Sequence, residues 1–344
     1  MILLNNDRKD TNIKSNDMPN LETRYMGLKL KNPIVVASSG LTNSIEKIRD
    51  LEIAGAGAVV LKSIFEEQIN HEVNHLINRD PQNQYPEAED YIWNYTRNHS
   101  ITRHLNLLSE AKKEIEIPVI ASINCMSASE WTVFAKDFEN AGADALELNL
   151  FYVPTERLKS SSEIEQHYLK IISEVKKMVK IPVSVKIGYY YTNLVSMADK
   201  LVANGADALV LFNRFYEPDI NLDKLEMTSS DVFSSSADIR RSLRWIGLIS
   251  SQLPKVEIAA GTGIHNGEAV IKQLLAGAQV TQVCSTVYIN GSQVIAGMIS
   301  DLTSFMKKWN FKKIDDFRGR LSYKNIPDPM LYERAQFMKY FSSK

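Results

Sequence analysis

The stretch VEIAAGTGIHNGEAVIKQLLAGAQVTQVCST, Val256–Thr286, decides how this chain folds. Its apolar start (Val256, Ile258) reads as a buried strand and runs into Gly261-Thr262-Gly263. A helical spacing follows at Val270, Leu274 and Leu275, then Gly277, a second apolar strand Val280–Val283 and the pair Ser285-Thr286. Glycines directly after a strand let backbone N–H groups approach an anion, and the next helix N-terminus adds a favourable dipole. Two such strand ends side by side near the end of an eightfold β/α barrel form a phosphate cup. The bland alternative is an ordinary turn whose glycines serve packing.

Working outward, the phrases AGAGAVVLK, AGADALELN, NGADALVLF and AGAQVTQVC each read as a helix end, a glycine cap and a reset into a strand. The spacing predicts strands over 34–38, 58–63, 118–124, 144–150, 181–187, 207–213, 256–261 and 279–285. Between and after them it predicts helices over 44–55, 128–141, 163–179, 194–204, 238–252, 267–276 and 291–308. The strands are apolar runs of the kind buried in parallel sheets. Eight β/α units without a Gly/Ser/Pro-rich linker imply one α/β domain, a (β/α)₈ TIM barrel over residues 21–325. Residues 1–20 are polar and aperiodic and read as a disordered leader, so that Met18 is a candidate natural start; 326–344 read as a C-terminal helical tail.

Composition narrows the function classes. The chain has 344 residues, 44% hydrophobic and 24% charged, with a formal net charge of −1. That balance gives no electrostatic case for nucleic acid or an anionic membrane as partner. The sequence shows no apolar run of membrane-spanning length and no signal peptide, which points to the cytoplasm. Two distant cysteines, Cys125 and Cys284, cannot by themselves ligate an iron–sulfur cluster, and no metal site is expected.

In this architecture, chemistry sits at the strand C-terminal ends and on the loops that follow them. Two such loops are long: 64–117 after the second strand and 214–237 after the sixth. The first carries QYPEAEDYIWNY (84–95) and then a helical pattern to Ile115; it reads either as a lid or as an oligomer contact built on Tyr91, Trp93 and Tyr95. The strand ends present Ala37-Ser38, Lys62, Asn124, Asn149, Lys186, Asn213, Gly261–Gly263 and Ser285. Lysine ending an apolar strand is costly unless its ammonium meets a cavity or an anion. Lys62 and Lys186 beside a phosphate cup therefore suggest an anionic cofactor.

These segments together resemble the dihydroorotate dehydrogenase family of flavin-dependent barrels. The matching text is NPIVVASSG (32–40), AVVLKS (58–63), ASINCMSASEW (121–131), ELNL (147–150), PVSVKI (182–187), LFN (211–213) and GTGIHNGEAVIKQLLAGAQVTQVCS (261–285). SSSADIRRSLRWIGLI (234–249) stands where the family has a Ser/Gly-Gly segment and helix. The resemblance implies FMN as cofactor, lined by Ala37, Ser38, Lys62, Asn124, Asn149, Lys186, Gly261, Thr262, Gly263, Ser285 and Thr286. It implies a dihydropyrimidine-like substrate at Asn149 and Asn213, and a homodimer. It also implies hydride transfer from a CH–CH bond, as in dihydroorotate oxidation to orotate in pyrimidine biosynthesis.

The chain departs from the family pattern after the fourth strand. Relatives place Asn-Leu-Ser-Cys-Pro-Asn there, and class 1 members use the cysteine as base; here the text is Asn149-Leu150-Phe151-Tyr152-Val153-Pro154. Tyr152 takes the cysteine's position and, with Lys62, is the catalytic candidate. A phenol of ordinary pKa near ~10 needs a nearby cation such as Lys62 to act as a base at neutral pH. The other reading makes Tyr152 a wall residue. His265 reads as helix-start chemistry and Cys125 as packing. Two other readings stay open: a non-catalytic or repurposed flavin-binding paralogue, and a phosphosugar-type barrel enzyme with its substrate in the cup.

Overall fold

The computed structural model describes residues 18–79, 86–125, 128–150, 152–214 and 217–333. The chain opens with a hairpin, β1 (Thr23–Tyr25) and β2 (Leu28–Leu30), followed by β3 (Ile34–Val36), β4 (Ala58–Val60), β5 (Ile64–Phe65) and β6 (Val119–Asn124). Next come β7 (Ala145–Asn149), β8 (Val183–Ile187), β9 (Ala208–Leu211), a second hairpin β10 (Pro218–Asn221) and β11 (Glu226–Ser229), β12 (Glu257–Ala260) and β13 (Val280–Val283). The parallel order β3-β4-β6-β7-β8-β9-β12-β13 returns to β3, closing an eight-stranded barrel. The expected architecture is the observed one.

The helices are α1 (Ile45–Ile53), α2 (Glu66–Arg79), α3 (Pro86–Glu114), α4 (Ala128–Asn140), α5 (Ser161–Met178), α6 (Leu194–Ala203) and α7 (Ile239–Gln252). They continue with α8 (Gly267–Ala276), a short α9 (Ser285–Asn290), α10 (Val294–Lys308) and α11 (Met330–Glu333). The repeated phrases work as their sequence implies. Gly55, Gly142, Gly205 and Gly277 have φ of 102°, 95°, 108° and 119°, a left-handed region that a Cβ disfavours. Just beyond these caps, Asp144, Asp207 and Gln279 accept the N–H of Val119, Val183 and Ile258 at 2.8, 2.7 and 2.5 Å. Each unit thus locks its own strand to the start of the one before.

One core lies between strands and helices; a second fills the barrel interior with Val35, Val60, Ile120, Val210 and Val280. The first hairpin plugs the N-terminal end. Its two-residue turn, Met26 (φ 53°) and Gly27 (φ 73°), has the positive dihedrals that match strand twist. Tyr25, Met26 and Leu30 pack into the interior core, and the Met26 N–H is held by the Glu257 carboxylate. With that end closed, the C-terminal mouth is left for a site.

Residues 64–117 are mostly helical: β5 pairs alongside β6, and α2 and α3 pack together. The helix expected near the end of this segment begins at Pro86, a residue suited to a first helical position, and takes in most of 84–95. The side chains of Tyr91 and Trp93 lie outside the described residues, while Tyr95 is exposed and stacks on His99. The expected helix 291–308 is α10, starting at Val294; the short α9 precedes it from Ser285, where the last strand was expected to end, and Gly291 at φ 75° separates the two. Residues 1–17 and 334–344, most of the expected leader and tail, lie outside the described residues. Asn20 is tied to Lys312 and Lys313, and Tyr332 packs over Gly247.

Candidate active site

The ends of five barrel strands, β3, β8, β9, β12 and β13, line a cleft of about 240 Å³ at the C-terminal mouth. Ala37, Ser38, Lys186, Asn213, Gly261, Thr262, Gly263 and Ser285, all expected at a cofactor or substrate, line it. Arg214, Phe233, Ser234, Gln282, Cys284 and Tyr288 complete its wall.

One end presents backbone amides without acceptors among the described residues. After β12 the chain turns through Thr262 (φ 67°) and Gly263 (φ 80°). Among the described residues, the amides of Thr262, Gly263 and Ile264 have no hydrogen-bond acceptor. Only glycine fits at 263, where a Cβ would lie 2.2 Å from the Ile239 nitrogen at the start of α7. Ser285 opens α9, the short extra helix common at such cups, and its hydroxyl accepts the Ser234 N–H at 3.0 Å. Unpaired amides converging on hydroxyls suit phosphate oxygens. Thr286 does not line the cleft: it is fully buried, and its hydroxyl donates to the His265 carbonyl at 3.1 Å, bracing the turn from behind.

The other end is cationic. Lys186 ends β8, its side chain 12% exposed, with Nζ 3.5 Å from Glu147 Oε1 and 3.3 Å from Gln282 Oε1. Glu147, 1% exposed, also accepts from Gln282 Nε2 at 2.5 Å. The carboxylate and amide hold the lysine upright from below while its ammonium borders the cleft. A buried charge is tolerable only when paired and hydrogen-bonded in this way. Beside it, hydroxyls run from Ser38 to Ser63 (2.9 Å) and on to Ser122 (2.6 Å).

On the side of β7, Asn213 Nδ2 donates to Asn149 Oδ1 at 3.0 Å, and Asn149 stands opposite Lys186 in the strand register. Asn124 borders a neighbouring apolar cavity of about 410 Å³ together with Cys125, Trp131, Leu150 and Tyr152, rather than the cleft itself. Burial pushes the Cys125 thiol far above its ordinary value, which suits packing rather than nucleophilic attack. Tyr152 is exposed, in an irregular exposed segment, and its hydroxyl donates to Glu156 at 3.3 Å. The cation over its ring is Lys159, at 5.7 Å. Lys62 is half-buried at the end of the second barrel strand, its N–H bonded to the Thr42 carbonyl at 3.3 Å.

Glu147, Gln282 and Ser234 escaped the sequence reading. The first two carried a usable signal: each sits two residues before an inward-pointing strand end (Asn149, Cys284), so strand alternation aims it into the barrel. Ser234 lies in a loop, where no periodicity marks it.

Among the described residues, no helix is long and apolar enough to cross a membrane, and no group of three or more His, Cys, Asp or Glu side chains could hold a metal. Comparison with known proteins gives a match to the dihydroorotate dehydrogenase family over residues 20–306. The catalytic subunit of dihydroorotate dehydrogenase B (NAD(+)) from Thermoplasma volcanium is 28% identical, over 88% of this chain and 98% of that protein. The same subunit from Methanocaldococcus jannaschii is 24% identical, over 84% of this chain and 94% of its own length. Dihydroorotate dehydrogenase A (fumarate) from Limosilactobacillus reuteri is 26% identical, over 86% and 96%. With the closed barrel and a cleft at its C-terminal mouth, this match establishes that the chain belongs to the dihydroorotate dehydrogenase family.

Proposed function

We propose that this protein binds FMN in the cleft and oxidises dihydroorotate, or a close dihydropyrimidine, to the corresponding product with a carbon–carbon double bond in pyrimidine biosynthesis. As a family member it is an oxidoreductase acting on a CH–CH bond. The observation that carries the cofactor reading is the pairing of unbonded amides at Thr262–Ile264 with the propped Lys186 ammonium in the same cleft. A flavin mononucleotide has that polarity: a phosphate at one end and, at the other, a ring that gains negative charge on reduction. FMN, when bound, supplies the hydride acceptor.

The chain's own residues do the rest. The Thr262–Ile264 amides with Ser234 and Ser285 bind the phosphate, and Lys186 stabilises charge at the ring. Asn149 and Asn213, already bonded to each other, offer amide groups to a polar substrate ring. Oxidation of CH–CH also releases a proton; in this reading Tyr152 takes it as its own hydroxyl proton passes to Glu156, and Lys62, at the end of the second barrel strand, adds positive charge. The exposed apolar pair Ile220 and Met227 on the β10–β11 hairpin supports a homodimer, and the lack of a spanning helix among the described residues is compatible with a cytoplasmic site. Incubating FMN-loaded protein with dihydroorotate and an artificial acceptor should yield orotate by chromatography. FMN-loaded protein that forms no product would refute the substrate assignment.

A further inference from the structure

We infer that His265 is a positioning residue for the cofactor's phosphate: it acts through Ser234, takes up a proton when FMN binds, and so makes the site favour a 5′-phosphorylated flavin. This rests on the FMN reading above. His265 follows the glycine turn, outside the lining of the cleft, with Nε2 3.0 Å from Ser234 Oγ. Ser234 is 8% exposed, lines the cleft, and donates its N–H to Ser285, the other hydroxyl of the cup. The imidazole therefore stands one hydroxyl behind the anion site.

Protonation decides what that hydroxyl can do. A neutral imidazole whose Nε2 is unprotonated accepts the Ser234 O–H, so the serine has no proton left for a ligand. An imidazolium donates to Ser234 Oγ instead, freeing the hydroxyl proton for a phosphate oxygen and adding a positive charge behind it. In the protein without ligand, desolvation holds His265 below its ordinary pKa, against smaller upward pulls from a hydrogen bond to the Ser234 backbone and from Asp238. Asp238, at the start of α7, is itself 3.8 Å from Arg214 and accepts the Ser235 N–H at 2.8 Å. Cys284, Tyr288 and, at the far end, Lys186 are the other titratable groups lining the cleft. A phosphate dianion would reverse the balance at His265, and binding would draw in a proton.

Isothermal titration at pH 7 in buffers of different ionisation enthalpy reads this directly. The expected result is net uptake of a substantial fraction of a proton per FMN, none with riboflavin, and none with FMN in His265→Gln, which keeps a hydrogen-bonding group without a titration. The phosphate, with a second pKa near ~6, would release protons on entering a cup of amide and hydroxyl donors, so uptake must come from the protein. FMN affinity should then fall with rising pH across the window between the free and bound His265 pKa values, by at most about tenfold per unit. FMN binding without uptake, or equal uptake in His265→Gln, overturns the inference and leaves the cofactor reading standing. Folded protein that binds neither flavin overturns both.

Discussion

Replacing Lys186 by Met tests the construction of the site at its most buried charge. The substitution removes the cation from Glu147, a carboxylate 1% exposed, and leaves it with Gln282 Nε2 as its side-chain donor at 2.5 Å. Breaking a buried pair by deleting one partner costs about 3–5 kcal/mol, because the remaining charge is uncompensated. The 3.5 Å separation and the retained Gln282 bond argue for the lower end, about 3 kcal/mol. With a urea slope of roughly 3 kcal/mol/M, the midpoint should fall by about 1 M. The double variant Lys186→Met/Glu147→Gln removes both charges and should recover most of that loss. Urea denaturation of flavin-free protein at pH 7, followed by far-UV circular dichroism, gives all three numbers. A single variant within about 0.5 kcal/mol of the parent, or a double variant no better than the single, would refute the idea that Glu147 and Lys186 are mutually dependent.

Three further outcomes follow from the same geometry. Gly263→Ala forces a Cβ toward the Ile239 nitrogen at φ 80°, so strain and overpacking of about 2–5 kcal/mol should lower the melting temperature and weaken FMN far more than riboflavin; equal weakening of both flavins would show that the turn does not read the phosphate. Tyr152→Phe should cut the rate of flavin reduction by roughly 100-fold or more with FMN affinity unchanged, and an unchanged rate would make Tyr152 a wall residue. His104, held below its ordinary pKa chiefly by burial, binds a proton more readily unfolded than folded, so flavin-free protein should lose stability as pH falls below the unfolded value near ~6.5. Thermal melts between pH 7 and 5 should show that decline, smaller in His104→Gln; an equal decline in both would assign it elsewhere.

The barrel was legible because its units repeat a physical device. A left-handed glycine followed by an apolar run appears at Gly55, Gly142, Gly205 and Gly277, and each sets one strand into the ring. The turn after β12 was legible for a related reason: its glycines mark left-handed backbone and a close approach to α7 that leaves no room for a Cβ at 263. Contacts between strands distant in sequence were harder to see. Glu147, Lys186 and Gln282 meet only because β7, β8 and β13 curve around one axis, which no local window shows. The later part of α3, with Ile101 and Leu108 on its buried face, was legible as a helical pattern, while its start at Pro86 was hidden in the aromatic-rich stretch. Tyr152 was found by position, but its partners Glu156 and Lys159 belong to an irregular segment with no periodicity to read.

The most direct test of the central claim is the visible spectrum of FMN-reconstituted protein, recorded anaerobically before and after dihydroorotate is added. A flavin band that bleaches promptly, with orotate formed in equal amount, is the predicted result. A bound flavin whose band persists would contradict the dihydroorotate assignment, and folded protein that takes up no FMN would contradict the cofactor on which the whole account stands.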